Sequence, residues 1–129
     1  MKIKMFSFLI LVIAFSSCIK KSVEGVVLSD ATSFEKKMSA PNVQLIDVRT
    51  PEEFAEGHLP KAVNIDVTGD DFETKVASLD KEQPVMVYCK MGGRSAKEAE
   101  KLKELGFKNI TDLDGGFSNW SNEDKPIEK

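Results

Sequence analysis

A continuous apolar run, Pro84 to Tyr88, is followed at once by Cys89, a turn with two glycines, and a helical pattern from Ser95 to Leu105. Such a run, without polar alternation, is typical of a strand buried on both faces of a parallel sheet. In the segment after it, apolar residues recur at helical spacing, with Lys and Glu between them. This strand–turn–helix unit predicts an α/β fold in which Cys89 lies where a strand ends.

The rest of the chain repeats the alternation of strand and helix patterns. We expect further strands over Val26–Leu28, Val43–Val48, Ala62–Asp66 and Asn109–Leu113. We expect helices over Ala31–Met38, from Pro51 to about Gly57, from Gly69–Asp71 to about Leu79, and from Phe117 to Trp120. Alternation of this kind predicts a mainly parallel sheet, whose functional sites form at the carboxyl ends of the strands.

The N-terminus has the pattern of an export signal. Lys2 and Lys4 precede an apolar stretch over residues 6–15, and Ser16-Ser17 leads into Cys18. Small residues before a cysteine resemble the lipoprotein processing site, so we expect a lipoprotein-type signal peptide over residues 1–17 and a lipidated Cys18. A plain signal peptide with an incidental Cys18 is the alternative. Residues 18–25 then form a tether, and residues 26–129 form one domain.

Charge and cysteine count limit the possible partners. The formal net charge is −3, and loss of the signal would make it more negative, which argues against a nucleic-acid partner. We expect an exported protein of the bacterial cell envelope that faces the periplasm and is held at the membrane only by lipid. If Cys18 is lipidated, Cys89 has no pairing partner. A free thiol in an oxidising compartment is a liability unless it is used.

The surroundings of Cys89 favour an ionised sulfur. Backbone N–H groups of the turn and a helix N-terminus attract negative charge, and Lys90 and Arg94 add positive charge. Gly92 and Gly93 allow the backbone to curl closely around the sulfur. We therefore expect Cys89 to be a nucleophile or a sulfur carrier. The alternative is a buried, inert cysteine at a strand end.

Taken together, the motifs resemble the rhodanese domain family, from about Val26 to Ile127. Each motif alone is weak, but their order and spacing fit the family. The segments that carry the resemblance are 46–49, 51–54, 57–60, 62–64, 88–95 and 113–116, with Trp120.

The resemblance implies a three-layer rhodanese-like fold with a five-stranded, mainly parallel sheet flanked by helices. It implies a sulfurtransferase in which Cys89 takes sulfur from a small donor, thiosulfate or a persulfide, and passes it to a thiophilic acceptor. A protein acceptor is also compatible, and no cofactor is expected. The loop residues expected to bind substrate are Lys90, Met91, Gly92, Gly93, Arg94 and Ser95.

The length of the loop separates two reaction classes. Cysteine phosphatases place five residues between the cysteine and the arginine that wraps the phosphate, whereas four residues separate Cys89 from Arg94. This spacing disfavours phosphatase or arsenate reductase activity. Two alternatives stay open: a persulfide carrier for a protein partner, and a redox-sensing thiol module with little turnover of free donor.

Three further residues are candidates for supporting roles. Asp47 and Arg49 end a strand beside the expected site, where they either position substrate or brace a loop through a buried ion pair, for example Arg49 with Glu53. We favour the brace. His58, in a Gly-His-Leu-Pro turn, is expected to be structural. We expect no metal site, because one His and one free Cys do not supply the ligands.

Overall fold

The computed structural model describes residues 25–129, in which five strands and five helices alternate. The expected signal peptide, Cys18 and nearly all of the tether lie outside the described residues. The strands are β1 (Val26–Ser29), β2 (Gln44–Asp47), β3 (Val63–Asn64), β4 (Val85–Tyr88) and β5 (Ile110–Leu113). The helices are α1 (Ala31–Met38), α2 (Pro51–Glu56), α3 (Phe72–Val76), α4 (Gly93–Glu104) and α5 (Gly116–Asn122).

The strands form one sheet in the order β1-β5-β4-β2-β3, and every neighbouring pair is parallel. The predicted α/β fold with a five-stranded parallel sheet is confirmed. Since all strands run in the same direction, their carboxyl ends meet at one edge of the sheet. The loops after β2, β4 and β5 therefore lie together at that edge.

The sheet separates two core clusters, and the central strand β4 contributes side chains to both. All four of its residues are buried, and their side chains alternate between the two faces. Val85 and Val87 pack with α3 and α4, whereas Met86 and Tyr88 pack with α1 and α5. Cys89 belongs to the same cluster as Val85 and Val87, so its side chain continues the α4 face.

Local capping signals set several helix ends. Thr50 accepts a hydrogen bond from the Glu53 N–H, and the Glu53 carboxylate accepts from the Thr50 N–H, with Pro51 at the first helical position. Asp30 caps α1 through the Ser33 N–H at 2.7 Å. The start of α2 at Pro51 agrees with the predicted start of this helix.

Several element ends differ from the prediction, most clearly those of β3, α3 and α4. Strand β3 covers only Val63–Asn64, and its carboxyl end coincides with the end of its neighbour β2, since Asp47 lies opposite Asn64. Helix α3 begins at Phe72 and ends at Val76, so it is shorter than expected. Helix α4 begins at Gly93, two residues before the predicted start. No helix among residues 25–129 is long and apolar enough to span a membrane.

Candidate active site

Cys89 lies directly after β4, at the carboxyl edge of the sheet, and its sulfur is held by two donors. The Gly92 N–H donates to Cys89 Sγ over 2.8 Å, and the Ser95 hydroxyl lies 3.4 Å from the same sulfur. Gly92 adopts a φ of 111°, which folds the chain back over the sulfur before α4 begins. Cys89 is only 1% exposed. The loop and the first turn of α4 thus enclose the sulfur with hydrogen-bond donors.

The start of α5 holds the other side of this loop. The Phe117 N–H donates to the Cys89 carbonyl over 2.8 Å, and the Ser118 N–H donates to the Lys90 carbonyl over 2.9 Å. Since a peptide unit is planar, fixing a carbonyl also fixes the direction of the following N–H group. The α5 N-terminus therefore sets the orientation of the two peptide units after the sulfur.

This close approach depends on Gly116. A Cβ at Gly116 would lie 2.6 Å from the Cys89 carbonyl oxygen and 2.7 Å from the Lys90 carbonyl carbon and oxygen. Gly116 also has a φ of 58°, which L side chains rarely adopt. The sequence analysis did not identify this contact, and its signal in the sequence is the pair Gly115-Gly116, one residue after β5.

Arg94 and Glu53 form a bidentate ion pair. The two guanidinium N–H groups donate to the two carboxylate oxygens over 2.8 and 3.0 Å. The hydrogen bonds from Arg94 lower the pKa of Glu53 from its usual 4.5 to about 2, although burial opposes the shift. Glu53 raises the pKa of Arg94, with a smaller contribution from the field of Cys89. Arg94 thus interacts electrostatically with Cys89, but its positive charge is partly neutralised by the Glu53 carboxylate.

The suggested pairing of Arg49 with Glu53 is wrong, because Arg49 instead binds Asp47. The Arg49 Nε lies 3.0 Å from both carboxylate oxygens, and Nη2 lies 2.6 Å from Oδ2. Asp47 and Arg49 are 0% and 3% exposed, so the pair is dry. Side chains two residues apart on an extended segment share a face, which brings this pair together.

The Asp47–Arg49 pair braces the neighbouring loop. The Tyr88 hydroxyl donates to Asp47 Oδ2 over 2.6 Å and accepts from the Leu59 N–H over 3.1 Å. Arg49 Nη2 donates to the Gly57 carbonyl over 2.7 Å. Burial, together with the Asp47 charge, raises the pKa of Tyr88 far above its usual value, so its hydroxyl stays protonated as a donor. This arrangement fits the favoured bracing role.

The contacts of His58 are those of a structural residue. Its Nδ1 donates to the Phe54 carbonyl over 3.0 Å, since a carbonyl can only accept. Its ring stacks on the Phe54 ring, with 3.8 Å between the ring centroids. Its Nε2 lies 3.8 Å from the Glu128 carboxylate. In the described part of the chain, both ring nitrogens are thus directed at groups other than Cys89.

The exposed part of the loop consists of Lys90 and Met91. Lys90 forms no ion pair with any residue from 25 to 129, and Met91 is 74% exposed. A lysine there attracts anions, and an exposed methionine offers an adaptable apolar contact. Within residues 25–129, no cluster of three or more His, Cys, Asp and Glu could hold a metal ion.

Comparisons with known proteins agree on one family. The family model described as "Rhodanese-like domain" matches residues 30–123. The chain is 38% identical over 99 residues to "Putative sulfurtransferase YtwF" of Bacillus subtilis (strain 168), covering 77% of this chain and 93% of the relative. It is 33% identical over 110 residues to "Protein HIGH ARSENIC CONTENT 1, mitochondrial" of Arabidopsis thaliana, covering 78% of this chain and 64% of that relative.

A solved structure gives the same result for the fold. The crystal structure of a rhodanese-related protein from Thermoplasma volcanium matches with a TM-score of 0.71 at 28% identity. The match covers 79% of this chain and 97% of that one. The similarity therefore extends over nearly the whole of the solved domain.

Replacing Gly116 by Ala should disrupt the contact between the start of α5 and the loop after β4. The new Cβ would meet backbone atoms, which cannot move as a side-chain end can, and the positive φ would add strain. We expect a loss of about 3 kcal/mol in the free energy of unfolding, measured by urea denaturation. Gly93→Ala is the control, because its Cβ would meet nothing within 4 Å. A Gly116→Ala protein as stable as the control would contradict the proposed constraint.

Glu53→Gln should remove the charge of the Arg94 partner while leaving the capping box, since Gln also serves at that position. A carboxylate whose pKa is lowered in the folded state stabilises the fold at pH values above its unfolded-state pKa. This contribution is lost as pH falls through the folded-state pKa. We expect the wild type to be more stable by about 1 kcal/mol at neutral pH, because the pair is partly exposed and screened by solvent. The difference should close as pH falls from 4.5 to about 2. In the control Glu52→Gln, an exposed neighbour, the change should be about 0.3 kcal/mol or less. A pH-independent difference for Glu53→Gln would contradict the prediction.

Proposed function

The chain belongs to the rhodanese-like domain family, and from this membership we propose that it is a sulfurtransferase that carries sulfur as a persulfide on Cys89. The observation that carries the proposal is the enclosure of the Cys89 sulfur by the Gly92 N–H and the Ser95 hydroxyl at the carboxyl edge of the sheet. A donor cradle of this kind stabilises an anionic sulfur without a general base.

The reaction divides into two displacements at sulfur. In the first, the Cys89 thiolate attacks the outer sulfur of the donor. With thiosulfate, the sulfur–sulfur bond of the donor breaks, and sulfite leaves with the electron pair. In the second, an acceptor thiolate or cyanide attacks the terminal persulfide sulfur, and Cys89 leaves as a thiolate. Each step forms one bond to the transferred sulfur and breaks another, and the two steps together return Cys89 to the thiolate.

The site supports an anion at each stage. Thiolate, persulfide and thiosulfate are all negative, so the same N–H groups and the N-terminus of α4 serve both displacements. Lys90 is the exposed cation nearest in sequence to Cys89, and it would attract an anionic donor. Arg94 contributes less than a free arginine would, because Glu53 neutralises part of its field.

A protein acceptor or donor is the second candidate, favoured by the exposure of Met91. A 74% exposed apolar side chain at the tip of the active loop is suited to contact with a partner surface. In that case, sulfur would pass between Cys89 and a cysteine of the partner, with slow turnover of free thiosulfate. The chemistry at Cys89 would be the same.

Intact mass spectrometry of residues 19–129, which retain every described residue and have Cys89 as the single cysteine, tests the proposal. Incubation with thiosulfate should add the mass of one sulfur atom, and cyanide should remove it. Cys89→Ser should show no gain and should remain folded by circular dichroism.

A gain in Cys89→Ser would contradict the assignment of the sulfur carrier. A free thiol that gains no sulfur from thiosulfate, but gains one from a protein persulfide, would favour the carrier function. A thiol that gains sulfur from neither, and is oxidised by mild peroxide, would favour the redox-sensing module.

We also propose that the protein is exported and held at the cell envelope, facing the periplasm, by lipid on Cys18. This rests on the sequence of residues 1–18 alone. Cys18→Ala should move the expressed protein from the membrane to the soluble fraction, while Cys89→Ser should stay with the membrane. If fractionation of Cys18→Ala matches the wild type, the lipid anchor is wrong.

A further inference from the structure

A cavity beside the active loop has no role in the proposed reaction. It has a volume of about 210 Å³ and lies between α4 and the adjacent strands β1 and β5. Met91 and Gly92 of the active loop form part of its wall. Gly92 also holds the sulfur through its N–H, whereas neither Cys89 nor Ser95 lines the cavity. Within residues 25–129, the cavity is thus a separate site that adjoins the active loop.

Asp112 points into this cavity from β5. Ile110, two residues earlier on the strand, packs in the core cluster on the α4 side of the sheet. Side chains two residues apart on a strand share a face, so Asp112 faces α4 as well. It lines the cavity and is 4% exposed, and its Oδ1 has no hydrogen-bond partner among the described residues. The cavity therefore contains a buried acceptor atom to which no described residue donates.

The rest of the wall indicates which ligand fits this acceptor. Its apolar part is formed by Val26, Leu28, Met91, Ala96 and Ala99. Among the described residues of the wall, the charged ones are Asp112 and Asp114, and there is no Lys or Arg. Such a wall repels an anion such as thiosulfate and attracts a cation with N–H donors. A cavity of about 210 Å³ is well above the size that one water molecule needs, so it can hold a short alkyl chain with a charged end.

We propose that the cavity binds a primary alkylammonium group, with the ammonium donating to Asp112 and the alkyl chain packed against the apolar wall. An ammonium carries three N–H donors, and its charge offsets the cost of a buried carboxylate oxygen without a partner. Burial raises the pKa of Asp112 from 3.8 to about 6, so the group is largely ionised at slightly alkaline pH, where an alkylamine is still protonated. The two charges are therefore opposite at the pH of the test.

Two kinds of molecule can bring this group to the active loop. One is a small thiol acceptor that also carries an amine, and the other is a protein acceptor with a lysine near its reactive cysteine. Because Gly92 belongs both to the cavity wall and to the donors around the sulfur, either ligand would be held next to the loop. This part of the proposal rests on the function proposed for Cys89, whereas binding of the ammonium does not.

Binding is tested with n-butylammonium, which reproduces the end of a lysine side chain, and residues 19–129 at slightly alkaline pH. NMR should show a saturable shift of the Asp112 carboxyl carbon and of the Gly92 and Ala96 amides. Butyrate, which has an alkyl chain of similar length and the opposite charge, should produce no such shift. Asp112→Asn should weaken binding of n-butylammonium about tenfold or more, because the shape is kept and the charge is lost.

Glu98→Gln is the matched control. Glu98 is also 4% exposed, and its Oε2 also has no hydrogen-bond partner among the described residues, but it does not line the cavity. This variant should bind n-butylammonium like the wild type. Equal binding by the wild type and Asp112→Asn would overturn the proposal, and so would equal binding of butyrate. If Asp112→Asn does not fold, the wild type alone decides: an Asp112 carboxyl carbon that does not respond to n-butylammonium would also overturn it.

Sulfur transfer from the Cys89 persulfide distinguishes the two sources. For a small acceptor, the preference for cysteamine over mercaptoethanol, measured as a ratio of KM values, should be about tenfold higher in the wild type than in Asp112→Asn. For a protein acceptor, that change should instead appear between a cysteine peptide that contains lysine and the same peptide with norleucine in its place. If neither preference changes, the link to the acceptor is wrong. Since n-butylammonium is tested with the free thiol, its failure to bind leaves sulfur loading untouched, and failure to load sulfur leaves the binding result intact.

Discussion

The active loop depends on the close approach of one helix N-terminus to two peptide units. Phe117 and Ser118 donate to the carbonyls of Cys89 and Lys90, and the approach is tight enough that only a glycine fits at position 116. These residues are far apart in sequence and meet because β4 and β5 are adjacent parallel strands. The geometry at the sulfur is therefore a property of the whole central sheet. The carbonyls of Cys89 and Lys90 are thus bound by α5, and the Gly92 N–H is directed at the sulfur.

The charges around the sulfur are more balanced than the sequence suggests. Each arginine has a carboxylate partner: Asp47 for Arg49 and Glu53 for Arg94. The donors found at the sulfur are the Gly92 N–H and the Ser95 hydroxyl at the start of α4, while Lys90 is exposed to solvent. Backbone donors cost little conformational entropy, because the fold has already ordered them.

Prediction from sequence succeeded where the signal was local. The start of α2 at Pro51 was predicted correctly, because the capping that fixes it involves residues within one turn of chain. The apolar run before Cys89 predicted a buried strand, and the structure has one. Prediction was weaker at the edge of the sheet. Strand β3 is shorter than predicted, and its carboxyl end is set by where its neighbour β2 ends, which the local sequence of β3 does not contain.

The sequence by itself determined the order of elements, the class of fold and the cysteine that ends the central strand, since periodicity, capping and turn chemistry act over a few residues. Only the tertiary structure decided the partners of the charged and polar side chains. Glu53 has a strong local reason to cap α2, yet its carboxylate binds Arg94, 41 positions away. Such pairings depend on which strands are neighbours and which faces they share, and no local pattern in the chain encodes that.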